Sequence, residues 1–334
     1  MMTDLPAAAL TEAQRYSFER DGFLAIDQLL DERDLAPIER EYEALLDQIV
    51  LELHGAGAFP NRREDLPFGR RYAELIGSRP ELHHRFNISL PLTNDAVDPE
   101  RYHMHAGPAV FYLLRHPKIH DVVEAIIGPE IYSSPVQQMR MKPPKSAVAD
   151  SLKDHSNIGA TTWHQDIVAL LPEADLTEQL TVWAAITEAT EENGCLVSIP
   201  GSHREGPKTH CSNLAIASEP QVPDRLMDGR KVVSLPVKKG GVVLFHKMNV
   251  HSALSNRSKS LRWSMDLRYL PIGQATGRPA FPGFVARSRA HPESELHDPE
   301  AWARSWEHAR EAIVAGHYED RIFEDTRWHD AAVC

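Results

Sequence analysis

A mainly β core flanked by helices at both ends, an α+β chain of sandwich or barrel type, is the fold class that the sequence predicts. Three observations predict it. From about 131 to 270, short β-type runs alternate with turn residues. Before and after that stretch, apolar residues recur at helical spacing. No repeat, low-complexity segment or linker divides the 334 residues. The chain therefore reads as one domain over 1–334: a helical N-terminal part at about 10–130, a β core at about 131–270 and a helical tail at about 290–334.

The elements follow in order. Thr11 and Gln14 form a capping box for a helix that Gly22 ends, and Phe23 to Ile26 reads as a strand. Ile38, Tyr42, Leu45, Ile49 and Leu53 mark one apolar face of a long helix. Residues 54 to 110, rich in Pro, Arg and His, read as irregular, and Leu113 to Ile127 as one helix closed by Gly128-Pro129. The β runs are Ile131 to Met141, Leu180 to Ile186, Cys195 to Ile199, Lys231 to Leu235, Val242 to His246 and Leu261 to Leu270. Asn193-Gly194 signals a hairpin or tight turn, and Gly240-Gly241 opens another strand. In the tail, Asp298 caps a helix begun by Pro299, with Trp302, Trp306, Ala309 and Ile313 on its packing face.

Composition narrows the function. A formal charge of -12 argues against wrapping a nucleic acid, which takes Lys and Arg to displace counterions. Nowhere does an apolar run approach the roughly 20 residues of a membrane helix. The segment Met1 to Leu10 carries Asp4 and no basic stretch, so no secretory signal is expected. Cys195, Cys211 and Cys334 are too few, too scattered and odd in number for a disulfide framework or a CxxC zinc site, which speaks for a reducing, cytoplasmic setting. P-loop, GxGxxG, GxSxG and HExxH signatures are absent.

Histidine carries the remaining chemistry. In the run Thr162-Trp163-His164-Gln165-Asp166, a strand would point His164 and Asp166 to one face. With a second histidine they would make a 2-His-1-carboxylate triad suited to Fe(II). The pair alone does not decide, since His203/Glu205, His291/Glu293 and His317/Glu319 are similar HxE pairs. His251 follows the strand ending at His246. Beyond it, Arg262 to Tyr269 alternates: Arg262, Ser264, Asp266 and Arg268 on one face, Trp263, Met265, Leu267 and Tyr269 on the other. Such a strand could lie at the surface or line a barrel that binds an anion. His83, His84, His103 and His105 read as loop histidines, and Trp163 and Trp183 as barrel packing.

The stretch Asn193-Gly194-Cys195-Leu196 through Pro200-Gly201-Ser202-His203 resembles the NG…PGSH signature of phytanoyl-CoA dioxygenase-like oxygenases. Thr181-Val182-Trp183 ahead of it and the start Asp21-Gly22-Phe23 are similar to that family too, as is the order of HxD, Gly-Gly strand, His251 and Arg262. The resemblance implies a double-stranded β-helix (jelly-roll, cupin-like) that holds Fe(II) and 2-oxoglutarate and uses O₂. It makes His164, Asp166 and His251 the iron ligands and catalytic residues, and Arg262 the partner of the 2-oxoglutarate C5 carboxylate. Where the family often has Ser or Thr two residues after the distal histidine, this chain has Ala253. Ser252, Ser255, Thr181 and Ser264 are the candidates to replace it, with Gln137, Gln138 and Lys142 as further cosubstrate contacts. Asp166 speaks against halogenation, because related halogenases replace the carboxylate by a small residue.

The expected reaction is hydroxylation of an unactivated C–H bond in a small metabolite, with release of succinate and CO₂. Two rivals stand beside it: a non-catalytic β-helix that binds a metabolite, and a redox-silent cupin-type isomerase or hydrolase. The substrate, the oligomeric state (self-association included) and the choice among hydroxylation, desaturation, epoxidation and rearrangement stay open. Pro143 to Ala160 has the length of a lid.

Overall fold

The computed structural model describes residues 10–59, 62–93, 97–148, 158–211, 220–317 and 327–334. Half of the lid expectation, residues 149–157, therefore lies outside the described residues, as does Glu319. Eleven strands are described: β1 (Phe23–Ile26), β2 (Ile131–Ser133), β3 (Gln138–Lys142), β4 (Thr161–His164), β5 (Leu180–Ala185), β6 (Leu196–Ser198), β7 (Val233–Leu235), β8 (Val242–His246), β9 (His251–Ala253), β10 (Arg262–Pro271) and β11 (Phe284–Arg287). The larger sheet runs β1-β8-β5-β10-β2-β11, with β3 also paired to β10; the smaller runs β4-β9-β6-β7. All pairings are antiparallel.

Side chains from both sheets meet between them. Trp183, Val243 and Phe245 of the larger sheet pack with Leu196, Leu235 and Ala253 of the smaller. On its other face the larger sheet buries Val182, Leu244, Trp263, Met265, Leu267 and Tyr269 in a cluster shared with the helices. The result is a jelly-roll backed by a helical layer, the fold class expected.

The helices obey local rules. In α1 (Glu12–Asp21) the capping box of Thr11 and Gln14 is formed, and Gly22 closes the helix at φ 79°. A second capping box, Asp31 with Asp34, starts α2 (Glu32–Gly55), which buries Ile38, Tyr42 and Ile49 as expected. Residues 54 to 110 are less irregular than expected. They hold α3 (Phe68–Ser78), whose Tyr72, Leu75 and Ile76 are buried at helical spacing. The helix expected over 113 to 127 is two, α4 (Pro108–Leu114) and α5 (Pro117–Ile127). Pro117 breaks it, because its ring disfavours helical geometry before it and suits the first helical position. Pro135 likewise splits the strand expected over 131 to 141 into β2 and β3. β9 and β11 escaped notice, being only three and four residues long. Asn193-Gly194 makes a tight turn, not a hairpin, since β5 and β6 lie in different sheets. In the tail, α6 (Pro299–Val314) is capped by Asp298, and Trp302 and Trp306 are core.

One cysteine pair was not foreseen. Cys211 and Cys334 form a disulfide with Cα atoms 5.4 Å apart, and Cys195 alone is a free, buried thiol. Counting cysteines addresses a disulfide framework but cannot see one pair, 123 residues apart, brought together by the fold. Closing so long a loop removes much unfolded-chain entropy. Cys334→Ser should lower the unfolding free energy by about 2–4 kcal/mol in urea melts; an unchanged midpoint would count against the bond.

Candidate metal centre

β4 and β9 set His164 directly opposite His251, with ring centroids 4.3 Å apart. Phe245 of β8 stacks on the His251 ring at 4.4 Å. Asp166 does not continue the strand, as had been expected; it opens a 3-10 turn, Asp166–Ala169. Gln165 pins the bend between the two. Its buried side-chain amide donates to the Gly206 (3.0 Å) and Met248 (2.7 Å) carbonyls and accepts from Lys208 N–H at 2.7 Å. Its backbone N–H donates to His210 Nε2 at 3.1 Å. One ligand atom each from His164, Asp166 and His251 then lies within 4.8 Å of the others.

The protonation states suit a cation. His164 Nδ1 lies 2.9 Å from Thr162 O, and His251 Nδ1 3.0 Å from Asn249 O. A carbonyl only accepts, so both Nδ1 atoms carry the hydrogen and both Nε2 atoms keep a lone pair. Burial holds both imidazoles below their ordinary pKa, His164 further through its neighbour His251, so both are neutral near pH 7.

Asp166, only 1% exposed, is ionised. Burial pushes its pKa up, but Arg268, the two histidines and Thr181 outweigh that and hold it well below the usual carboxylate range. Arg268 Nη2 donates to Oδ1 at 2.6 Å, and Thr181 Oγ1 donates to Oδ2 at 2.6 Å. Thr181 thus serves the carboxylate, and Arg268 is its counter-ion.

β10 settles the question its alternation left open. Residues Arg262 to Leu270 are all buried, so it is no surface strand, and its polar face lies toward the space between the sheets. Arg262 is fully buried; its Nη1 donates to Ser264 Oγ at 2.6 Å, and its Cζ lies 5.5 Å from the Trp183 ring centroid. Its Nε and Nη2 have no hydrogen-bond partner among the described residues. Burial and nearby Arg140 bring its pKa down to about 9, which leaves it a cation at pH 7. Nε and Nη2 form one edge of the guanidinium, the edge that takes a carboxylate through two parallel bonds.

The other expected cosubstrate residues divide. Lys142 pairs with Arg262 across the strands and donates to Thr161 Oγ1 at 2.6 Å. Ser264 sits beside Arg262. Gln137 is engaged elsewhere: its amide accepts from Arg268 N–H at 2.9 Å and donates to the Ser134 carbonyl, bracing the β10 backbone. Gln138 bonds Asn87 at 2.9 Å, and Ser252 donates to Thr161 O at 2.7 Å. The sequence reading did not foresee the buried Arg140–Asp266 pair at 2.7 Å, although Asp266 lay on the recognised polar face. His105 bonds Glu41 at 2.9 Å and His203 bonds Glu19 O at 3.1 Å, both in bracing roles.

The phytanoyl-CoA dioxygenase (PhyH) family profile matches residues 18–264. The chain belongs to that family. A phytanoyl-CoA dioxygenase domain-containing protein 1 homolog of Caenorhabditis elegans is 26% identical over 269 residues, 74% of this chain and 86% of that protein. The rat protein of that name is 27% identical over 76% of this chain and 88% of its own length. An ectoine dioxygenase of Bordetella parapertussis is 24% identical over 82% and 80%. Among solved structures, the apo form of the non-heme monooxygenase ThoJ superposes with a TM-score of 0.55 at 16% identity, covering 91% of this chain and 99% of ThoJ. The epimerase SnoN, in complex with Fe3+, alpha ketoglutarate and nogalamycin RO, gives 0.50 at 21% identity, covering 82% and 88%. These likenesses show the same fold.

The Asp166 clamp makes its own prediction. Arg268→Met strands a buried carboxylate and should cost about 3–5 kcal/mol of stability in urea melts. Thr181→Val removes one hydrogen bond to the charged group and should cost about 1.5–3 kcal/mol. Near-native stability of Arg268→Met would show that the pair does not hold Asp166.

Proposed function

We propose that this chain is an Fe(II)- and 2-oxoglutarate-dependent dioxygenase that hydroxylates an unactivated C–H bond of a small metabolite. The observation that carries the reading is a pairing of features. Two neutral histidines and one ionised aspartate converge at one point, and an unmatched buried guanidinium edge stands on the same strand face as the aspartate's counter-ion. The donor set fits Fe(II), for which two imidazoles and one carboxylate leave positions open. The Arg262 edge fits a dicarboxylic oxo-acid, whose far carboxylate would supply the bonds that Nε and Nη2 lack. Family membership supports the same class of chemistry.

When bound, Fe(II) with 2-oxoglutarate and O₂ supplies oxidation of a C–H bond coupled to release of succinate and CO₂. The protein's own residues do the placing. His164 and His251 present Nε2 because Thr162 O and Asn249 O fix the tautomer. Asp166 stays charged and cannot swing, since Arg268 and Thr181 hold both oxygens. Arg262 orients the cosubstrate through its C5 carboxylate, with Ser264 and Lys142 beside it. Trp183 and Phe245 wall that end with apolar surface, keeping water from the guanidinium and the His251 ring.

Under anaerobic Fe(II), 2-oxoglutarate binding can be followed through its visible charge-transfer band, and succinate formation in air. His164→Ala and His251→Ala should abolish both. Arg262→Ala should raise the 2-oxoglutarate concentration for half-saturation at least about tenfold, as loss of charged hydrogen bonds implies. Arg262→Lys should recover only part, because an ammonium cannot form the planar fork. Undiminished succinate formation in either histidine variant, or a requirement for zinc without 2-oxoglutarate, would overturn the assignment.

A further inference from the structure

The bend that carries Asp166 is gripped at both ends by a distant piece of chain. At its start, the Gln165 N–H, between the two ligands, donates to His210 Nε2. His210 is fully buried, and its Nδ1 lies 2.9 Å from Lys208 O. The carbonyl fixes the hydrogen on Nδ1, so Nε2 must be the acceptor. Burial lowers the His210 pKa to about 4, which keeps the ring neutral and able to accept. At the far end of the bend, Arg327 Nη1 donates to Leu170 O at 3.0 Å and Nη2 pairs with Asp175.

Residues 327–334 join these two grips. The His210 N–H donates to Trp328 O at 3.0 Å, and Cys334 is bonded to Cys211, the next residue after His210. Cys211 also exchanges backbone hydrogen bonds with Gln221, and Val222 N–H donates to Trp163 O at 2.7 Å, immediately before His164. One disulfide thus closes a frame around His164 and Asp166, two of the three candidate ligands.

We propose that residues 327–334, fastened by Cys211–Cys334, form a clasp that holds His210 as a positioning residue for the metal centre, so that metal affinity depends on the closed disulfide. The inference rests on the proposed metal site. A dithiol opens the clasp: its two thiols give two electrons and two protons to the cystine, leaving two cysteine thiols and the reagent as a cyclic disulfide. His210 then loses the fixed backbone at Trp328 and Cys211 that seats it. Nothing in this role requires His210 to touch the metal.

Co(II) binding to the full chain, read by calorimetry and by the visible cobalt bands, tests the proposal. His210→Ala should weaken Co(II) about tenfold, the lower range for groups that orient ligands. His210→Gln keeps an acceptor near the Nε2 position and should stay within about threefold of wild type, a rescue that loss of packing would not give. Wild type reduced with dithiothreitol, alkylated with iodoacetamide and desalted should also bind at least about threefold more weakly than the oxidised form. Equal affinity in His210→Ala and wild type, or equal weakness of the Ala and Gln variants, overturns the proposal. Should His210→Ala not fold, the reduced wild type decides alone: unchanged affinity overturns the clasp. A wild type that takes up no Co(II) overturns the metal centre and this inference with it, whereas uptake indifferent to His210 and the disulfide overturns this inference alone.

Discussion

A buried carboxylate needs a cation, and the pairing of Asp166 with Arg268 is the constraint on which the rest of the site depends. Taking a carboxylate out of water costs several kcal/mol unless charge and hydrogen bonds replace the lost hydration. Here Arg268 and Thr181 supply both. They are themselves a cross-strand pair, Arg268 of β10 opposite Thr181 of β5. The clamp is therefore a property of sheet register more than of either residue. Asp166 comes to it from outside the larger sheet, on a bend attached to the smaller sheet. The ion pair ties the two sheets together where the ligands converge.

The same strand carries Arg262, the proposed anion anchor. Arg262 precedes Arg268 by six residues, which in extended chain is about 20 Å and the same face. A slip of one residue would send both arginines into the helical layer and bring Trp263 and Leu267 inward. Several contacts forbid that slip. The apolar face of β10 is committed to the cluster beneath the helices. Six register pairs hold it to β5, from Ser264–Ala185 to Tyr269–Leu180. Gln137 bonds the Arg268 backbone directly. Bracing of this kind explains a buried glutamine that binds no other side-chain charge.

Legibility in the sequence followed the range of the interaction involved. The α1 capping box, the β8 run and the alternation of β10 are local, and each stands where its residues predicted. His164, Asp166 and His251 could be named because motif order carried them, although the strand geometry imagined for Asp166 was wrong. Pro117 and Pro135 broke elements whose apolar pattern ran straight through them; the pattern records burial, and the proline ring records where the backbone cannot continue. The role of Thr181, the pairing of Cys211 with Cys334 and the bond from Gln165 to His210 join residues 15, 123 and 45 positions apart. No periodicity encodes such contacts, and only the assembled fold displays them.

The two charged ends of the site differ in how far the protein alone satisfies them. Asp166 has both oxygens matched by its own chain. Arg262 leaves Nε and Nη2 without a hydrogen-bond partner among the described residues. Each such group costs about 1–3 kcal/mol when buried without a partner. A carboxylate bound there, as proposed, would relieve that cost. Ligand that binds only the folded chain stabilises it by mass action, so on the proposed function a carboxylate at Arg262 would couple its binding to the stability of the fold. The clamp on Asp166 does the reverse: it holds that carboxylate in place, as Thr162 O and Asn249 O hold the two imidazoles. The three donor groups are thus positioned by the protein's own hydrogen bonds, whereas the Arg262 edge is left for a partner the proposed cosubstrate would supply.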